Sequence, residues 1–140
     1  MSSKPKVLIV DDEERFRTTM CKLLTVRGLE VFTLGEGKEA LKELREKSYD
    51  VIILDVRMPE MTGIQVMTEL RKLDPFIEVI IMTGYASVDT AKKIMELGAY
   101  DYMLKPYNVE ELMEKIEAAY DRKCARQQLI GAKKDSSENV

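Results

Sequence analysis

Hydrophobic residues gather into five short runs, at 6–10, 30–33, 51–54, 78–82 and 101–104, and most of them break abruptly into polar or charged residues. Runs this short, rich in Val and Ile, suit parallel strands covered on both faces. Between them the apolar positions recur at helical spacing. Phe16, Met20, Leu23 and Leu24 share one face before an Arg27-Gly28 stop, and Ala40, Leu41 and Leu44 turn inward from a helix over 37–47. Thr62-Gly63 opens a helix with Ile64, Val66, Met67, Leu70 and Leu73 on its apolar side, closed by Asp74-Pro75. Ser87 caps a helix reaching about Leu97, with Gly98 as its stop, and Asn108 with Glu111 has the form of a capping box for a last helix. That helix carries Leu112, Ile116, Ala119 and Tyr120 inward and is expected to end near Arg126.

Strands alternating with helices, at spacings of roughly 20 to 27 residues, predict βα units with right-handed crossovers. The expected fold is α/β, a doubly wound five-stranded parallel sheet in the flavodoxin-like order 2-1-3-4-5 with helices on both faces. In that order the crevice at the switch point lies between strands one and three. Residues 1–128 are read as one domain, and 129–140, small and polar from Gly131 onward, as a flexible tail or linker stub.

Composition narrows the chemistry. Among the 140 residues, 45% are hydrophobic and 34% charged, with a net charge of -3, so nothing favours nucleic-acid phosphates and direct DNA binding by this chain is not expected. No apolar run is long enough for a membrane span, and a cytoplasmic location is the default expectation. There is no histidine, which removes His-based triads and imidazole metal sites. Cys21 and Cys124 lie far apart without metal-ligand spacing and read as reduced thiols. The Gly35-Glu36-Gly37-Lys38 segment resembles a phosphate loop only superficially, because Phe32 and Glu39 stand where glycine and Ser or Thr are needed.

The remaining candidates are carboxylates, a hydroxyl and a lysine. Strand one runs into Asp11-Asp12 and strand three into Asp55, so the two strands flanking the crevice both end in acid. Taken singly, Asp55 could cap a turn, and Glu13 and Glu14 read as acids that merely suit a helix N-terminus. Together, acids about 4 Å apart repel by roughly 4 kcal/mol at an effective dielectric near 20, and need a cation among them. Mg²⁺ fits an all-oxygen site that keeps positions for phosphate oxygens. Thr83 after strand four offers a hydroxyl, and Lys105 after strand five a second positive charge. This is the equipment for moving a phosphoryl group, with Asp55 as the acceptor.

Asp11-Asp12, Asp55 with Met58-Pro59, Thr83-Gly84 and Lys105-Pro106, in this order, resemble the receiver domain of two-component response regulators over about residues 5 to 125. The Thr83-Gly84-Tyr85-Ala86-Ser87 and Gly98-Ala99-Tyr100-Asp101-Tyr102 segments look most like receivers of nitrogen-regulation-type transcription activators. The resemblance implies that Asp55 accepts a phosphoryl group from a phosphohistidine on a sensor histidine kinase. It also implies that Asp12 binds Mg²⁺ directly, Asp11 largely through water, and Arg57 through its backbone carbonyl. Thr83 and Tyr102 correspond to a switch pair, and the surface of helix four, strand five and helix five would report phosphorylation and could carry a homodimer. Arg57 and Tyr85, beside the acceptor, are expected to tune the lifetime of the phosphorylated form.

Two other readings use the same residues: a Mg²⁺-dependent phosphatase with an aspartyl-phosphate intermediate, and an interaction module that binds metal structurally. Against the phosphatase, Arg57 stands where such enzymes usually carry a general-acid aspartate.

Overall fold

The computed structural model describes residues 4–57, 60–84, 88–105 and 107–138. Five strands, β1 (Lys6–Val10), β2 (Glu30–Leu34), β3 (Val51–Leu54), β4 (Glu78–Thr83) and β5 (Asp101–Leu104), alternate with α1 (Glu14–Val26), α2 (Gly37–Glu46), α3 (Gly63–Leu73), α4 (Val88–Glu96) and α5 (Val109–Glu138). The strands form one parallel sheet in the order β2-β1-β3-β4-β5, as the sequence predicts.

The period of two along each strand sorts side chains to opposite faces. Leu8, Val10, Ile52, Leu54, Val79 and Ile81 bury against Ala40, Leu41, Val66, Met67, Leu70 and Ile94 from α2, α3 and α4. Val7, Ile9, Val51, Ile53, Ile80 and Met82 bury against Met20 and Leu24 of α1 and Leu112, Ile116 and Ala119 of α5. Both faces are thus covered, which explains why β1, β3 and β4 read as unbroken apolar runs.

Local signals set the helix starts. The Thr62 hydroxyl accepts from the Gln65 N–H at 3.2 Å while Gln65 Oε1 accepts from the Thr62 N–H at 2.8 Å, a reciprocal cap for α3. Asn108 Oδ1 accepts the Glu111 N–H at 3.1 Å at the start of α5. Gly28 and Gly98, the expected stops, take φ of +93° and +94°, a left-handed conformation that other residues reach only with strain. The expected cap Ser87, the Met58-Pro59 turn, Tyr85 and Pro106 lie outside the described residues.

One boundary differs. The last helix does not end near Arg126 but continues to Glu138. The polar composition after Gly131 suggested an end, yet a single glycine costs a helix only about 1 kcal/mol and no proline follows it. The stretch around Arg122 to Arg126 is moreover tied to the sheet, as Lys123 Nζ donates to Asp50 Oδ1 at 2.6 Å and Arg126 Nη1 to Glu78 Oε1 at 2.7 Å.

Candidate functional site

The register aligns Val10 of β1 with Leu54 of β3, so the next residues, Asp11 and Asp55, emerge side by side at the sheet's C-terminal edge. Main-chain hydrogen bonds extend the ladder into these tips: Asp55 N–H donates to the Val10 carbonyl at 3.0 Å and Asp11 N–H to the Leu34 carbonyl at 3.1 Å. Asp11 is 1% exposed and Asp55 7%, whereas Asp12 faces solvent. Each of the three offers one carboxylate oxygen to a group whose members all lie within 4.8 Å of one another.

Lys105 closes the arrangement from β5. Its Nζ lies 2.7 Å from Asp11 Oδ2, 3.5 Å from Asp55 Oδ2 and 3.9 Å from Glu13 Oε2. The other oxygens of the buried acids are held by the main chain, since Glu13 N–H donates to Asp11 Oδ1 at 2.9 Å and Arg57 N–H to Asp55 Oδ1 at 3.0 Å. Each acid therefore keeps a fixed rotamer without spending all its lone pairs.

Charge balance leaves the edge short of cations. Burial pushes the Asp11 carboxyl above its usual range, and the Asp55 charge adds to the rise against the pull of Lys105 and the Glu13 N–H. For Lys105, burial works against the ammonium, but the Asp11 hydrogen bond and the charges of Asp11, Asp55 and Glu13 outweigh it and raise its pKa. Among the described residues, Lys105 is the one base in an ion pair with the two buried acids. The donors are all oxygens, which suits a hard divalent cation.

Thr83 ends β4 with its side chain 1% exposed, and its carbonyl accepts the Lys105 N–H at 2.8 Å, which ties the hydroxyl-bearing residue to the lysine. Arg57 reaches the site through its main chain, while its side chain is exposed. Tyr102, on β5, pairs with Ile81 of β4 and packs, half-buried, on the α2–α4 side of the sheet.

Several contributors escaped the sequence reading. Glu13, more than an acid suited to a helix start, supplies the N–H that fixes Asp11 and brings its carboxylate near Lys105. Arg17 Nη1 donates to the Asp11 carbonyl at 2.7 Å and holds the turn that carries both acids. Gly63 abuts the acceptor loop so closely that a Cβ there would lie 2.7 Å from Val56 Cα and 2.8 Å from the Asp55 carbonyl oxygen. Beside Asp12 a cavity of about 540 Å³ opens between Arg17, Gly35, Glu36, Glu39 and Glu60. A glycine opening the third helix was the one readable sign of the close approach.

A doubly wound module with a carboxylate-lined, lysine-bearing crevice at its switch point is what this fold and site define. Residues 7–117 match the family model described as the response regulator receiver domain, and the chain belongs to that family. It is 40% identical over 113 residues to the transcriptional regulatory protein ZraR of Escherichia coli K12, a match covering 81% of this chain and 26% of that protein. The chain thus spans about a quarter of the length of this relative. Among solved structures, a CheY-like receiver domain from Methanospirillum hungatei JF-1 superimposes with a TM-score of 0.85 at 29% identity, covering 89% of this chain and 99% of that one. The beryllofluoride-activated NtrC4 receiver domain dimer matches with a TM-score of 0.80 at 36% identity, covering 84% and 98%.

The chain is therefore a signalling module related to the receivers of NtrC-type activators, as its Thr83 and Gly98 segments suggested. Among the described residues, no helix is long and apolar enough to cross a membrane. The expected lack of nucleic-acid contact is not borne out, since the relatives are transcriptional regulatory proteins far longer than this chain.

Proposed function

We propose that Asp55 is the phosphoacceptor of a two-component signalling switch, and that residues 1–128 form the accepting module with 129–140 as its linker. The observation that carries the reading is the gathering of Asp11, Asp12 and Asp55 within 4.8 Å around a crevice that Lys105 reaches from β5. A carboxylate oxygen of Asp55 attacks the phosphorus of a phosphohistidine on a sensor histidine kinase. The P–O bond forms as the P–N bond breaks, and the released imidazole takes a proton from solvent.

Asp12, Asp11, Asp55 and the Arg57 backbone carbonyl would hold Mg²⁺, which when bound neutralises the charge on the phosphoryl oxygens. Lys105 leaves its contact with Asp55 to bind one of those oxygens, and the Thr83 hydroxyl bonds another. The module assists its own phosphorylation and dephosphorylation without turning over a separate substrate, and Arg57 and Tyr85 tune how long the adduct lasts. Thr83 and Tyr102 act as the switch pair: the phosphoryl group favours one of two arrangements, and the α4–β5–α5 surface carries the difference to an output. That surface would also carry a homodimer, and dimerisation itself is supported by the dimeric state of the activated NtrC4 receiver. The working compartment is the cytoplasm.

Incubation with Mg²⁺ and acetyl phosphate, followed by intact-mass measurement, tests the reading. The expected result is one phosphoryl adduct, absent in Asp55→Asn. Steady phosphate release without an adduct would instead mark a phosphatase, and neither product would leave only a metal-binding module.

A further inference from the structure

Lys105 carries a flexible, four-carbon stem, and three acids compete for its ammonium. Two of them, Asp11 and Asp55, lie inside the crevice; the third, Glu13, is 61% exposed and draws the charge outward. Among the described residues, an aromatic ring faces the ammonium as well as the carboxylates. Nζ sits 4.0 Å from the centroid of the Phe16 ring, close for a cation over an aromatic face. The ring is itself fixed, half-buried against the α1–α5 core and in edge-to-face contact with Tyr107, with centroids 5.8 Å apart and planes at 85°.

We propose that Phe16 is a positioning residue for phosphoryl transfer, its ring face acting as a cation–π seat that holds the Lys105 ammonium in the crevice. The inference rests on the role proposed above for Lys105. The chemistry explains why an aromatic ring suits the place. A carboxylate there would bind an N–H and hold the lysine back from the incoming phosphate, while a ring attracts the charge over a broad face. An aliphatic side chain would fill the volume and leave the ammonium drawn between Asp11 and Glu13. Helical spacing made Phe16 look like a core residue only, and the ring does pack against the core as well.

The test uses the whole chain with Phe16 replaced, at that position alone, by phenylalanines carrying one, two and three ring fluorines, which weaken the ring's attraction for cations at nearly constant size. The phosphorylation rate with acetyl phosphate is expected to fall stepwise, about fivefold across the series, while Mg²⁺ affinity and melting temperature stay level. Phe16→Leu should lose the whole effect in one step. A second readout needs neither metal nor phosphodonor: the Lys105 ε-methylene protons, shielded by the ring current, should shift downfield in Phe16→Leu. A flat rate across the fluorine series, or unshifted ε-methylene protons, overturns the seat. Lys105→Met separates the two levels. If it slows phosphorylation while the fluorine series is flat, only the seat fails; if it leaves the rate unchanged, the role of Lys105 fails as well.

Discussion

The two ends of the sheet treat buried acids in opposite ways. At the C-terminal edge Asp11, Asp12 and Asp55 lie together, and Lys105 is shared by Asp11, Asp55 and the exposed Glu13. At the N-terminal edge acids have basic partners of their own: Glu78, fully buried at the start of β4, is paired by both Arg122 and Arg126, and the half-buried Asp50 by Lys123 at 2.6 Å. Asp50 also accepts the Lys6 N–H at 2.8 Å, and Asp101 at the start of β5 is paired by Lys115. Arg71 adds carbonyl contacts there, at 2.6 Å to Ile77 and 2.8 Å to Gly98. A carboxylate whose charge is met by its own fold is structural; the excess at the other edge is where the proposed cation and phosphoryl group would bind.

Removing partners at the matched end should be the most damaging change. Arg122→Ala with Arg126→Ala leaves Glu78 charged, buried and unpaired, and is expected to cost about 3 kcal/mol in chemical denaturation while the Asp55 adduct still forms. Gly63→Ala acts at the other edge. The added methyl must displace the backbone of Asp55 and Val56, with an expected loss of about 2 kcal/mol and slower phosphorylation, read by denaturation and intact-mass time courses.

Deleting an acid from the excess should do the reverse of deleting a partner. Asp12→Asn relieves repulsion, so the metal-free protein is expected to melt a few degrees higher, while Mg²⁺ binding weakens by about a factor of ten, or 1.4 kcal/mol, in titration calorimetry. If Asp12→Asn destabilises instead, the contrast between the two ends fails.

The smallest effect concerns alkaline pH at the matched end. Tyr49 is 1% exposed, and its hydroxyl donates to Glu43 Oε2 at 2.7 Å; burial first, then that bond and the Glu43 charge, raise its pKa well above the ordinary 10.0. The unfolded chain ionises there first, so this contribution is complete below pH 10 and declines as pH rises beyond it. Denaturation curves between about pH 9 and about pH 11 should show a shallower decline in Tyr49→Phe.

The acids and lysine of the C-terminal edge were legible in the sequence because each follows directly on an apolar run, and a parallel sheet brings all such ends to one side. The matched end was not. Glu78 meets Arg122 and Arg126, and Asp50 meets Lys123, across separations of 44, 48 and 73 residues, and no local pattern marks such partners. Phe16 and Arg17 were hidden for a different reason. Periodicity reports which face of a helix is apolar, not what lies beyond its first turn. The end of α5 was misread because composition speaks to burial, whereas a helix once anchored needs only the absence of a breaker to continue.

That continuation gives the module a lever. Beyond Arg126, its last ionic tether to the sheet among the described residues, α5 rises 1.5 Å per residue and so projects about 18 Å to Glu138. A tilt of only about 10° at the tether would sweep the far end through about 3 Å, a side chain's width, so a slight reseating at the sheet becomes a full step at the tip.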